Sequence, residues 1–295
     1  MMEITLALGG GGTRGNAHIG VLRRLEKEKF SIRAVAGTSF GGIVAALYAA
    51  GHSPDEIEEI FVKVDQSKLY DRKPGDGPSL FGLSAVSLWL DEVLGVRTFA
   101  DLKIPCALTA VDLNSGLEVT LSEGSVKKAV LSTIAMPGIF PTFQMNGWEL
   151  VDGGVLNPVP VSVARTLAPG LPVVAVSLCT PIGGPPAKSW TMPLPKLFPR
   201  PLAARFNQSN FARAFEIFVR SVDIGGRAVS EYRLAVDKPA VIIRPVVAGI
   251  QTLDKVDVRE LARLGEEAVE AVLPELKRVV SWPARINRQF FGGAA

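Results

Sequence analysis

Residues 37–41 read Gly-Thr-Ser-Phe-Gly, which puts Ser39 between glycines at the spacing of a nucleophile elbow. In such a turn the serine takes a strained backbone conformation that lifts its hydroxyl clear of the chain. A serine at the head of a helix can also serve only as its N-cap, so the pattern alone admits both roles. A second cluster lies upstream, where Gly9, Gly10, Gly11 and Gly12 run into Thr13, Arg14 and Gly15. Backbone N–H groups gathered in such a loop at the start of a helix make an anion site. Gly10, Gly12 and Gly15 satisfy the G-x-G-x-x-G of a dinucleotide fold. That fold needs an acid about twenty residues further on, where Ser31, Ile32 and Arg33 stand instead. No Lys-Ser or Lys-Thr follows the glycines, so a P-loop fails as well. The use that remains is an oxyanion hole facing Ser39, each donor of which would lower the barrier by about 3 kcal/mol.

The serine needs a base. The chain has two histidines, His18 and His52. His52 lies a helix beyond Ser39, on the order of 20 Å away at 1.5 Å per residue. His18 falls in the first turn of the helix after the glycine loop, where it competes with that loop for space. A carboxylate is the other option. Asp152 ends the strand-like stretch Glu149-Leu150-Val151 and precedes Gly153 and Gly154, a position where open α/β sheets carry functional groups. Burial would raise its pKa toward a useful value. An aspartate bonded to its own turn would look the same in sequence. The reading favours a Ser39–Asp152 pair, with His18 shaping the loop.

These groups require elements to hold them. Residues 4–8 are predicted as a strand feeding the glycine loop, and 16–29 as a helix with Val21, Leu22 and Leu25 on one side. Residues 34–36 lead into the elbow, and the Ala-rich stretch 42–50 continues as a helix that stops at Gly51. Ser53 and Pro54 mark the next helix start as N-cap and N1. Residues 71–79 are predicted as a loop or excursion. Leu83, Val86, Leu90, Val93 and Leu94 give helical periodicity, with Trp89 read as core. Strands are expected at 104–113, 118–122, 173–179 and 240–247, the second as a hairpin partner of the first. Helices are expected at 125–135, from 210 onward and at 258–280.

A chain of 295 residues, 47% hydrophobic and 21% charged, is globular in composition and can bury a substantial core. Its net charge of +3 gives no ground for nucleic acid as a partner. The basic excess is local: residues 181–233 carry eight Lys and Arg against three acids. Such a segment suits an anionic membrane surface or an ordinary solvated face. Cys106 and Cys179 cannot build a disulfide framework and read as buried thiols of a reduced compartment. With no signal-like start, the expectation is a cytoplasmic protein, peripheral at most on a membrane.

Taken together, the motifs resemble the patatin-like phospholipases. Gly10-Gly11-Gly12-Thr13-Arg14-Gly15, Gly37-Thr38-Ser39-Phe40-Gly41 and Asp152-Gly153-Gly154 match that family's three signatures in order. Smaller features agree: His18 and Gly20 after the loop, Asp112-Leu113 with Gly116, Ala135-Met136-Pro137 with Phe140-Pro141, and Asn157-Pro158. The resemblance implies a three-layer α/β/α sandwich with a mostly parallel central sheet. It also implies a lipid acyl hydrolase with Ser39 as nucleophile and Asp152 as general base. Gly10, Gly11, Gly12, Thr13 and Arg14 would form the oxyanion hole, chiefly through the amides of Gly11 and Gly12. Neither metal nor organic cofactor is called for. Acyl transfer to an alcohol, or hydrolysis of soluble esters, would use the same pair. A membrane-associated regulator that keeps the fold without catalysis is the reading from another class. The expected organisation is one catalytic domain over 1–280, containing a proline-rich linker or lid at 181–205, then a basic, aromatic tail at 281–295.

Overall fold

The computed structural model describes residues 2–64, 79–183 and 210–281. The proposed linker or lid and the C-terminal tail fall almost wholly outside these residues, as does most of the excursion at 71–79.

Strand β1 (Met2–Leu8) pairs in parallel with β2 (Phe30–Thr38), and the connection between them holds the glycine loop, a 3-10 turn (Gly12–Asn16) and helix α1 (Ala17–Lys27). Helix α2 (Phe40–Ala49) starts directly after β2. Gly51, at φ 99°, follows its end. Helix α3 (Pro54–Lys63) opens with a full capping box: the Ser53 side chain accepts from the Glu56 amide, and Glu56 accepts from the Ser53 amide. The chain continues through α4 (Ser84–Val93), β3 (Cys106–Asp112), β4 (Glu118–Leu121), α5 (Val126–Thr133), β5 (Phe143–Met145) and β6 (Trp148–Asp152). It closes with α6 (Val161–Leu167), β7 (Val173–Val176), α7 (Asn210–Asp237), β8 (Val241–Ile243) and α8 (Val258–Val279). Strand β5 and helix α6 are additions to the elements expected from sequence. They have three and seven residues, too few to display a period.

The eight strands form one sheet in the order β5-β6-β3-β2-β1-β7-β8, with β4 also on β3. Pairing is parallel from β3 through β2, β1 and β7 to β8. It is antiparallel where β4 and β6 meet β3 and where β5 meets β6. Register reveals how β3 is used. Residues 108–111 bond β4 on one edge, while the other edge bonds β2 up to Thr109 and β6 from Ala110 onward. Strands β2 and β6 thus lie end to end along a single edge of β3.

Alternation along the strands sorts residues between two layers. Leu6, Leu8, Val35, Leu108, Val174 and Val176 face the larger core with Leu22 of α1, Val44 and Leu47 of α2, and Val269 of α8. Ala7, Ala36, Ala107 and Ala175 face the opposite way, against Val161 and Ala164 of α6 and Leu234 of α7. Alanines on that face let α6 lie close to the sheet. The result is a central sheet flanked by helices. In the first layer α1 and α8 pack backbone to backbone: a Cβ on Gly20 would sit 1.7 Å from the Ala262 carbonyl oxygen, and one on Gly265 1.9 Å from that of Ala17. Arg23 of α1 ties this layer further, reaching Asp55 and Glu58 of α3 and Glu266 of α8. Among the described residues, no helix is long and apolar enough to cross a membrane.

Candidate active site

Ser39 occupies the bend between β2 and α2 at φ 55°, ψ −128°, a conformation that costs a non-glycine residue of order 1–3 kcal/mol. Its neighbours make the bend sterically feasible. A Cβ on Gly37 would lie 2.5 Å from the Gly41 oxygen, and one on Gly41 2.3 Å from the Leu8 oxygen. The Ser39 amide donates to Thr133 Oγ1 at 2.9 Å, fastening the bend to the end of α5. Although Ser39 stands at the N-cap position of α2, its side chain makes no capping hydrogen bond.

The hydroxyl instead lies against Asp152, the last residue of β6. Asp152 is 4% exposed, and its Oδ1 accepts from the Gly154 amide at 2.7 Å. Burial pushes the carboxyl pKa up to about 6, with hydrogen bonding from Ser39 and Gly154 pulling the other way. The self-bonded turn is thus present at Asp152, and the same carboxylate faces Ser39.

A polar lattice sits beneath the pair. Thr38 Oγ1 donates to the Asn157 carbonyl at 2.9 Å and shares a 2.7 Å contact with Thr109 Oγ1. Asn157 Nδ2 donates to Glu118 Oε1 at 2.8 Å, and Arg233 of α7 donates to Glu118 Oε2 at 3.1 Å. The Asn157 amide in turn bonds the Gly153 oxygen at 2.8 Å.

The glycine loop passes beside Ser39, with the Gly10 Cα side about 3.1 Å from Ser39 Cβ were a methyl built there. Its five expected oxyanion residues divide sharply. Gly10 donates its amide to the Pro158 oxygen at 2.9 Å, and Thr13 donates its amide to the Thr252 oxygen at 2.8 Å. Arg14 folds back so that Nε donates to the Gly11 oxygen at 3.0 Å. Among the described residues, no protein acceptor takes the amides of Gly11 and Gly12, and Gly12 stands in the cavity wall. His18 supports the loop from below: its Nε2 donates to the Gly9 oxygen at 2.7 Å. Complete burial lowers its pKa to about 4, so the ring is neutral at pH 7. His52 is elsewhere, within 3.2 Å of the Val93 oxygen at Nε2.

Above Ser39 opens a cavity of about 700 Å³, open solvent included. Phe40, Ile43, Phe61, Val86, Trp89 and Phe140 give it an apolar wall. Phe61 stacks on Phe40 with centroids 5.0 Å apart and meets Trp89 at 5.6 Å. Sequence reasoning assigned Trp89 to the core; it packs there partly, and it lines this cavity too. Thr133 and Thr252 were also absent from the sequence-derived site. Each acts through one backbone-directed bond from a distant segment, and neither lies in a motif.

The model of the family described as Patatin-like phospholipase matches residues 6–165, more than half of the chain. The chain belongs to the patatin-like phospholipase family. An uncharacterized NTE family protein of Mycobacterium bovis is 33% identical over 186 residues, which cover 62% of this chain and 51% of the relative. Patatin-like phospholipase domain-containing protein 6 of Homo sapiens is 30% identical over 171 residues, covering 56% of this chain and 12% of that protein. The chain thus spans about half the length of the mycobacterial relative. Among solved structures, VipD from Legionella pneumophila matches with a TM-score of 0.56 at 13% identity, over 94% of this chain and 66% of that one. That likeness is one of fold.

Proposed function

We propose that this patatin-like protein hydrolyses carboxylic ester bonds of lipids, as a phospholipase A or lysophospholipase, through an acyl-Ser39 intermediate. One observation carries the reading. A strained serine has its hydroxyl against a buried carboxylate at the floor of an apolar cavity. With its pKa near 6, Asp152 is mostly ionised at pH 7 and basic enough to share the serine proton during attack.

In the first half-reaction Ser39 Oγ adds to the ester carbonyl while Asp152 takes its proton. The amides of Gly11 and Gly12 are the donors available for the oxyanion that forms. Collapse of this intermediate expels the alcohol, which receives the proton from Asp152. In the second, Asp152 accepts a proton from water as the water attacks the acyl-serine, and then returns it to Oγ. The apolar walls would take the acyl chain, each buried methylene contributing about 0.8 kcal/mol. We take residues 1–280 as the catalytic domain and a lipid, met from outside the bilayer, as the substrate source.

The test is a fluorophosphonate label with peptide mapping, beside turnover of a nitrophenyl ester and of a mixed lipid extract. Label on Ser39, with both label and turnover lost in Ser39→Ala, is the expected result. A labelled residue other than Ser39, or full turnover in a folded Ser39→Ala, would overturn the proposal. Products in which an added alcohol carries the acyl group would instead assign acyl transfer.

A further inference from the structure

Phe61 separates two hollows. On one side is the cavity above Ser39; on the other is a cleft of about 630 Å³, open solvent included, between the end of α3 and residues 255–259. Phe61 and Val64 line both. We infer that Phe61, together with Val64, is the end wall of the acyl slot and fixes the length of fatty acyl chain accepted, an inference that rests on the esterase reading of Ser39.

The chemistry on the two sides of this wall differs. A chain joined to Ser39 first meets Phe40, Ile43, Val86 and Trp89, all apolar. Every methylene it places there loses contact with water, so kcat/KM should rise about fourfold per added carbon, the equivalent of about 0.8 kcal/mol. Past Phe61 the surroundings turn charged, with Lys255, Asp257 and Arg259 around the second cleft. Arg259 is anchored at that rim by Glu59 at 3.0 Å and Glu58 at 3.6 Å. The Phe61 ring is itself 6% exposed and wedged between Phe40 and Trp89, which denies it room to swing aside. Further carbons therefore gain nothing while the wall stands. Removing the ring would join the hollows and offer a longer chain the apolar floor of Val256 and Val258, which also line the cleft.

The experiment measures kcat/KM on nitrophenyl esters from butyrate to palmitate for the full chain and for Phe61→Leu, Phe61→Ala and Val64→Ala. The wild type should rise with chain length and then level off. In the variants the plateau should move to longer chains by at least two methylenes, raising the ratio of long-chain to short-chain kcat/KM more than tenfold. Circular dichroism monitors folding, and Val64→Ala carries the test if loss of the Phe61 ring unfolds the protein. An unmoved profile in every folded variant, or a shift toward shorter chains, overturns the wall. A wild type inactive on every chain length overturns the esterase reading itself, so the two failures are told apart.

Discussion

Asp152 reaches Ser39 because their strands abut on consecutive residues of β3: Thr38 pairs with Thr109, and Asp152 pairs with Ala110. Neither residue depends on a flexible loop for its position. The pair is read out of strand register, and the carboxylate is buried by the same geometry that aligns it.

Asp152 must be ionised to act as base. Turnover of the nitrophenyl ester should therefore rise with pH through about 6 and level off above it, falling about tenfold per pH unit on the acid side. A kcat/KM profile that is flat from pH 5 to pH 8 would remove Asp152 from that role.

The same burial has a cost in stability. The Asp152 pKa rises from its ordinary 3.8 to about 6 on folding, so the folded state holds the proton more tightly than the unfolded chain. Stability from this group is present below pH 3.8 and lost as pH rises through 6, by roughly 2–3 kcal/mol at 1.36 kcal/mol per unit. Asp152→Asn keeps an oxygen for the Gly154 amide and carries no charge. It should lose catalysis while raising Tm by several degrees at pH 7, with little change near pH 3.5.

His18 acts in the reverse sense. Its pKa falls from 6.5 to about 4 on folding, so its contribution is present above pH 6.5 and lost as pH drops toward 4. In the wild type the two groups oppose each other over much of that range. In Asp152→Asn that opposition is gone, and the histidine adds a fall of about 3 kcal/mol between pH 6.5 and pH 4 to the one that the depressed carboxylates Glu28, Glu56 and Glu260 give on the acid side, as urea titrations should show. Adding His18→Gln should remove the histidine's share and leave the shallower fall of the carboxylates.

Close backbone contact makes Gly265 a sensitive site far from any motif. Gly265→Ala would drive a methyl to 1.9 Å from the Ala17 oxygen, at the start of α1 and just after the 3-10 turn that leaves the glycine loop. The helices must separate, at a cost of about 1–3 kcal/mol. Thermal melts should show it, and fluorophosphonate labelling should slow as the loop shifts.

Glu118 links α7 to the elbow by way of Asn157 and Thr38. Glu118→Gln keeps the shape and removes the charge facing Arg233. Stability should drop by about 1 kcal/mol, and kcat should fall several-fold with KM unchanged, because the elbow is loosened and the cavity is not.

Much of this was legible in the chain itself. The elbow and the glycine loop announce themselves because tight turns impose residue types locally, at Gly37, Gly41 and Gly12. The Ser53–Glu56 box is equally local. What stayed hidden depends on which distant segments meet. Thr252 covers the glycine loop from beyond the last strand and takes up the Thr13 amide, so the five-residue oxyanion expectation narrows to the amides of Gly11 and Gly12 as available donors. The cavity draws Phe61 and Trp89 from separate helices; the sequence reading places Trp89 in the core and does not single out Phe61, because nothing local says which helices meet.

Because β2 and β6 queue along one border of β3, the gap between hydroxyl and carboxylate is set by a single peptide step. Lengthening or recombining the connections that lead into either strand leaves that gap untouched. On the proposed function, substrate preference can accordingly be redesigned in the outer segments of this scaffold while the Ser39–Asp152 pair is carried over intact.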